Sequence, residues 1–412
     1  MPSAATIAGS AAIIKELYPH GDVPWTILKN YHMFEWLEKN EDFVGDPVRI
    51  AVQTETTQGA SATFTNAQTN LQQSAYFAFY VHRVTDYSLA RIDNHALAAA
   101  DGNEGSLVAL WEREMDSAMK TAMLATDIQC FRSGTGTRGQ LASTSTNLAT
   151  LNVVTDATNF GVGMTVGASL ADGGTLRAGV EIIAGVDYVN GVLQSTSATW
   201  TTVITTLGQT DFLVRDGDGA NNSTNLVLTG AAGWIPGGTL ASPPSSLFSC
   251  TRSSNPVGLA GQTYNATTVS LEEAVIEGVA RVMTQAGSPD TIVMHPRKKG
   301  NLLKSLESKT QYTKTKGTTD GAVGFERVFF ESDAGPIEIL SDTNCPYNTS
   351  WLLQKNSWEL GSIGKCPRIQ DFDTLNYLRV YNADQLEVRI YSYYQLICMA
   401  PRWQMQIQNF GN

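Results

Sequence analysis

The chain has 412 residues, 42% of them hydrophobic and 16% charged, which excludes a disordered chain and gives a sizeable core divided among two or three units. Lys and Arg total 28 against 39 Asp and Glu, so a net charge of −11 repels nucleic acid wherever basic residues do not cluster. Five cysteines, Cys130, Cys250, Cys345, Cys366 and Cys398, are odd in number and lack C-x-x-C spacing, which argues against a disulfide framework and a zinc site and for a reducing compartment.

Met1 opens a segment with neither the basic start nor the apolar run of a secretion signal, and no stretch approaches the length of a membrane span. The protein is therefore expected in the cytosol of its producing cell. On that ground the sequons at Asn221, Asn222, Asn265 and Asn348 are chance matches.

Residues 1–45 carry short apolar clusters broken by Pro19, Gly21 and Pro24, which predicts an arm of short helices. Its aromatics Trp25, Tyr31, Phe34 and Trp36 must lie against another element or make a small local core. Over 46–88, alternation at Val48, Ile50 and Val52 and again at Phe77, Phe79 and Val81 predicts two strands. Between them Gln53–Ser74 is polar. The stretch reads as a long hairpin whose tip rests on another chain, or else as a loop between two core strands.

From Asp101 to Gly134 the residues Leu107, Trp111, Met115, Ala118, Ala122, Ala125 and Ile128 recur every three or four positions, on one face of a long helix. Glu112, Arg113, Asp116 and Lys120 take another face, with Asp116 to Lys120 a favourable acid-to-base pair. Asp101 with Glu104 resembles a capping box, and Gly134 offers the left-handed stop.

GTGTRG at 134–139 matches G-x-G-x-x-G, but a helix precedes it and a polar run follows, so a turn is expected and a nucleotide site is not. Over 141–262 Gly, Thr, Ser and Val dominate, and Phe160–Val166, Gly179–Val189, Phe212–Val214 and Asn225–Leu228 read as strands of an inserted β module. Asn190-Gly191 is a tight-hairpin signal within it. Asp216, Asp218 and Asn221 suggest a calcium loop, yet Ala220 stands where a ligand is needed, so a solvated turn is expected.

Beyond 262 the pattern is mixed. Helices are expected from Leu271 to Met283 and over Arg297–Leu306, and strands over Thr291–Met294, Trp351–Leu353, Tyr377–Val380, Leu386–Met399 and Trp403–Ile407. Phe325–Phe330 and Pro336–Leu340 read as a hairpin. The fold class is α+β.

No constellation for chemistry emerges. His20, His32, His82, His95 and His295 are scattered without metal-ligand spacing, and there is no G-x-S-x-G. Catalytic, cofactor-binding and metal-binding residues are therefore all expected to be none. The basic run His295, Arg297, Lys298, Lys299, Lys304, Lys309, Lys314 and Lys316, opposed by Glu307 and interleaved only by Tyr312, reads as a subunit contact or a solvated face before a nucleic-acid surface.

The order of parts resembles the major capsid proteins of tailed bacteriophages with the HK97-type fold. An arm, a polar hairpin, a long helix ending in FRSGTGTRGQL, a β insertion with GTLRAG and GWIP, and a mixed region with TIVMHPRKKGNLL follow one another over nearly the whole chain. The resemblance implies an N-terminal arm (1–45), an extended loop (46–88), a peripheral region with a spine helix (89–140), a β-rich insertion domain (141–262), and an axial domain with return strands (263–412). It further implies an icosahedral virion shell of hexamers and pentamers, assembled in the host cytoplasm with a scaffolding protein and a portal. A decoration protein would be a further partner, and DNA would be enclosed without sequence-specific binding.

Two departures qualify the likeness. Residues 46–88 contain no lysine, so the isopeptide welding of some relatives is not expected. The arm is too short for a cleaved coiled-coil scaffold, so a separate scaffolding protein, or none, is expected. The competing readings are an encapsulin-type compartment, a β-rich virion tail protein that binds carbohydrate, and a cytosolic enzyme.

Overall fold

The computed structural model describes residues 31–95, 104–197, 199–222, 225–306, 329–371 and 377–410. The body is organised on the return strand Gln385–Cys398, which is flanked on both sides. Val84–Asp93 pairs antiparallel with it from Asp93 opposite Gln385 to Val84 opposite Tyr394. On its other edge lie Leu378–Arg379, Arg368–Ile369 and Trp358–Ser362, and Glu38–Asn40 adds parallel to the last of these.

The spine helix runs Glu104–Phe131, 28 residues or about 42 Å at 1.5 Å per residue. No Gly or Pro interrupts it after Gly105. Ala122, Ala125 and Ile128 are buried against the sheet, and the Asp116–Lys120 pair forms at 2.5 Å on the opposite side. The expected cap at Asp101 and the side chains of Leu107 and Trp111 lie outside the described residues. Gly134 follows with φ +91, where a Cβ would stand 2.6 Å from Asn225 Nδ2. The two-faced periodicity does not hold at the C-terminal end. Thr126, Asp127 and Gln129 are buried as well, because the helix end is surrounded by arm, sheet and axial loops. Thr126 Oγ1 donates to the Tyr394 hydroxyl, which in turn donates to Gln129 Oε1 at 3.2 Å.

The axial sheet holds six strands in the order Gln262–Asn265, Met405–Gln408, Thr349–Leu353, Thr291–Met294, Gly335–Ser341 and Phe329–Ser332. Helix Leu271–Thr284 buries Leu271, Ala274, Val275, Val279 and Val282 on it, and starts from a capping box between Ser270 and Glu273. Gly278 sets the packing distance, since a Cβ there would stand 2.7 Å from Leu352 Cδ1. Helix Pro296–Leu306 lies alongside. Strands Trp358–Ser362 and Gln262–Asn265 were not anticipated from the sequence. Each is short, and one apolar alternation in four or five residues is no signal.

Inserted after the spine helix is a closed barrel of Phe212–Arg215, Thr137–Ser145, Leu148–Leu151, Val192–Ser195, Glu181–Asp187 and Thr165–Ser169. It has its own core around Leu141, Ala149, Phe160, Ile183, Leu193, Trp200 and Leu213. The Asn190-Gly191 signal falls in a real hairpin. Its connection is four residues, closed by Gly191 N donating to Asp187 O, with Gly191 at φ +68.

The turn expected at GTGTRG leaves the helix at Gly134–Gly136, and Thr137–Gly139 already form barrel strand. Two strand expectations fail here. Phe160–Val166 is strand only from Thr165, the start of Thr165–Ser169. Asn225–Leu228 is not a strand. Leu228 is fully buried in the body core, with Ala231, Trp234 and Ile235 beside it, because the chain leaves the barrel at Arg215 and returns to the body.

The arm's root also belongs to the body. His32–Trp36 is a short helix, and Met33, Phe34, Leu37 and Phe43 are buried in the same core as Trp234, Trp351 and Trp358. Of the two readings left open for the arm aromatics, Phe34 and Trp36 pack on this chain's own body. Trp25 lies outside the described residues.

Candidate assembly surfaces

The extended hairpin starts from Val48–Glu55 and Ala75–Val81, registered with Val48 opposite Val81, Ile50 opposite Phe79 and Val52 opposite Phe77. Directly opposed residues share a face, so these six apolar side chains form one stripe turned to the body, while Arg49, Tyr76 and Tyr80 face water. Phe79 is fully buried and meets Trp234 edge to face at 5.1 Å. Tyr80 N donates to Phe248 O, Arg402 Nη1 to Thr54 O, and Asn255 Nδ2 to Glu55 Oε1.

That anchoring stops at Glu55 and Ala75. The tip, 56–74, carries no charge and buries none of its residues. Its helix Phe64–Thr69 has no buried residue, and Phe64 and Leu71 are 76% and 65% exposed. The tip is closed only by the Gln58–Gln72 bridge and by Leu71 folding onto Gly59. A six-residue helix on a two-stranded ribbon has little stability of its own.

A second surface is the sheet face turned away from the spine helix. Tyr87, exposed, shares a hydroxyl contact of 3.2 Å with Tyr393, whose ring stands 4.9 Å from that of Tyr391. The Arg368 guanidinium covers Tyr391 at 4.7 Å, and Leu89 is exposed beside them. The alternation Thr85, Tyr87, Leu89, Arg91 carried the signal for this face, which the sequence reading passed over.

The other residues singled out from the sequence do not converge. His82 pairs with Asp46 at 2.9 Å, His32 and His95 are exposed, and His20 lies outside the described residues. His295 is buried edge to face with Tyr347, and burial, then Arg297 and Lys298, push its imidazole down to about 4. The described cysteines are free thiols. Among the described residues no group of three or more His, Cys, Asp or Glu could hold a metal, and no helix is long and apolar enough to cross a membrane.

The described part of the basic run is divided: Arg297 and Lys304 are exposed, as a solvated face requires, but Lys298 and Lys299 turn inward. Lys298 is 1% exposed, donates to Phe410 O and lies over the Tyr347 and Phe410 rings, while Lys299 donates to Ile339 O. Both hold the axial sheet to its helix. Glu307, Lys309, Tyr312, Lys314 and Lys316 lie outside the described residues.

DGDGANN is a turn solvated at Asp216, Gly217, Asn221 and Asn222 but closed over at its middle. Asp218 is 8% exposed and takes Arg215 at 2.7 Å, and Arg215 also reaches Asp86 on the body sheet. Asp218 thus belongs to an ion-pair joint, to which Arg132 on Asp156 adds at 2.9 Å.

The geometry is that of a mixed body carrying a hairpin, an arm and an inserted barrel. None of the curated protein sequences matches the chain. The family model of the SU10 major capsid protein matches residues 189–376. Among solved structures, the cyanophage A-1(L) capsid aligns with 98% of this chain and 99% of its own at 9% identity, with a TM-score of 0.56. The capsid of an empty GTA particle gives 97% and 99% at 8% identity and 0.48, and the capsid of Myoviridae phage XM1 gives 94% and 95% at 7% and 0.46. The first of these likenesses establishes the fold and the family match gives the role: the chain is a major capsid protein of a tailed phage, built on the HK97-type fold with a β-barrel insertion.

Proposed function

We propose that the subunit closes an icosahedral shell through non-covalent contacts in hexamers and pentamers, with each hairpin tip lying on a neighbouring copy. The observation that carries this reading is the tip itself, nineteen residues (56–74) without charge and without one buried side chain. Covering Phe64 and Leu71 on a neighbour is worth about 1.5–3 kcal/mol each, and such small gains multiply around a closed ring.

The parts then divide as arm 1–45, extended loop 46–88, peripheral region 89–136, insertion 137–222, a return segment 225–261 packed in the body, and axial domain with return strands 262–412, so that the insertion is shorter at its C-terminal end than the 141–262 expected from composition. A shell of this kind encloses DNA without sequence-specific binding and calls for a portal, with a separate scaffolding protein during assembly in the host cytoplasm. The exposed barrel residues Val162, Ile182 and Val189 would suit a decoration protein. No catalytic step is assigned to the chain.

The test is the double substitution Phe64→Ser with Leu71→Ser. Subunit stability in urea is expected to change by less than about 0.5 kcal/mol, because both side chains are already in water. Round shells in negative-stain micrographs are expected to disappear. Shells at the wild-type yield would overturn the reading.

A further inference from the structure

Two carboxyl groups with no exposed surface face each other where the arm, the spine helix and the axial sheet meet. Asp127 lies one turn before the helix ends, and Asp342 follows the strand Gly335–Ser341; both are 0% exposed. Phe34 N donates to Asp127 Oδ1 at 2.8 Å and Met33 N to Asp342 Oδ2 at 3.0 Å. Asn344 ties the two together, its Nδ2 donating to Asp127 Oδ2 at 2.7 Å and its backbone N to Asp342 Oδ1 at 2.8 Å. The arm therefore enters the body on two amide hydrogens, each held by an acid from a different part of the fold.

Among the described residues, the donors that face this pair are neutral amides. Two full negative charges held out of water by neutral donors alone are disfavoured, and the site is relieved if one proton stays between them. Burial, and then the charge of Asp342, hold the Asp127 carboxyl well above its ordinary 3.8, against the hydrogen bonds from Asn344 and Phe34, and its side chain is hydrogen-bonded to that of Asp342.

Among the described residues, the surrounding titratable groups do not supply a compensating charge. Cys130 on the spine helix and Cys345 beside Asn344 are buried thiols pushed up by burial first and by these same carboxyls. Arg132, whose charge reaches Cys345, donates through Nη2 to Asp156 and to the Arg138 carbonyl and not to either carboxyl of the pair. On the arm's own helix His32 and Glu35 are exposed to solvent.

We propose that Asp127 and Asp342 form a proton-operated lock on the arm, closed while one proton is shared between the two carboxyls and loosened when that proton leaves to solvent. An acid whose folded value is raised stabilises the closed form fully below its ordinary value, and the contribution is lost as pH rises through the raised value. The lock is therefore tightest under acid conditions and loosens towards alkaline ones. Its loosening frees the arm root, Tyr31–Leu37, from the spine helix and the axial sheet at once.

Hydrogen exchange on assembled full-length shells, read by mass spectrometry between about pH 5 and pH 9 and corrected for the intrinsic rate, tests the lock. Protection of a peptide spanning 31–37 is expected to fall by about tenfold or more across that interval, while a peptide spanning 77–81 at the hairpin base does not change. In Asp127→Asn, a neutral amide can donate to Asp342 permanently, so protection should stay level. A level wild-type profile, or a fall that persists in Asp127→Asn, would overturn the proposal. If that variant does not fold, infrared difference spectra of the wild type decide: a protonated buried carboxyl band lost over the same interval supports the lock, and its absence at neutral pH rejects it.

Discussion

Arg215, on the last strand of the barrel, reaches Asp86 on the body-sheet strand Val84–Asp93, Nη2 to Oδ1 at 2.7 Å, across 129 positions of sequence. The same guanidinium holds Asp218 through Nε at 2.7 Å. Burial pulls Arg215 down, but Asp86 and then Asp218 outweigh that and hold it above its ordinary value. Arg138, buried close by, goes the other way, lowered to about 10 by burial first and by Arg215 next. The joint between barrel and body is thus a charge cluster and not an apolar seam.

Replacing Arg215 by Met leaves Asp86 and Asp218 facing each other with little water. The loss is expected at about 3 kcal/mol, the lower end of the range for breaking a buried pair, because the Arg215 side chain keeps 21% exposure. The barrel has a separate core, so the damage should fall on the joint. Urea unfolding gives the magnitude. Limited proteolysis should cut near 216–222 before either core opens, and a variant as resistant as the wild type would show that the cluster does not carry the joint.

At the hairpin base the expected response is opposite to that at its tip. Phe79 is fully buried against Trp234, so Phe79→Ala should cost about 3–5 kcal/mol of subunit stability. Thermal unfolding of the unassembled subunit measures it. A loss below about 1 kcal/mol would mean that the hairpin is hinged on the body and not anchored there.

How much of this was legible in the sequence depends on the length of the pattern. The spine helix, the Leu271–Thr284 helix and the alternating hairpin flanks carry seven or more residues of one period, and local sequence decides them. Val84–Asp93 alternates as well, but nothing local says that it pairs with a strand three hundred residues later. The misjudged segments are those where burial is set by distant neighbours. Asp218 looks solvated until Arg215 and Asp86 are brought to it, and Lys298 looks exposed until Phe410 and Tyr347 close over it. Asp127 was invisible for the same reason, since a helical acid reads as a surface residue until an arm and an axial loop cover it.

The start of helix Leu271–Thr284 offers a smaller and cleaner measurement. Ser270 accepts from Glu273 N at 3.3 Å and Glu273 returns a carboxylate to Ser270 N at 3.2 Å. Ser270→Ala should cost about 1 kcal/mol, read as a shift of the denaturant midpoint with unchanged slope. A changed slope would indicate that the axial domain no longer unfolds with the rest of the body.

The absence of lysine from 46–88 bears on how the shell is held together. An amide weld between subunits needs an unprotonated amine beside a carboxyl or carboxamide in a water-poor site. The tip has Gln58, Gln68, Gln72 and Gln73 but no amine to attack them, and its side chains are in water. Mature particles heated in detergent should therefore run as one band near 44.5 kDa, without a ladder of multiples. Resistance of the intact particle to heat would then have to come from repeated contacts and should weaken when Phe64 and Leu71 are changed. A ladder that survives detergent and reductant would place a covalent bond elsewhere on the subunit, and the tip would no longer account for the strength of the shell.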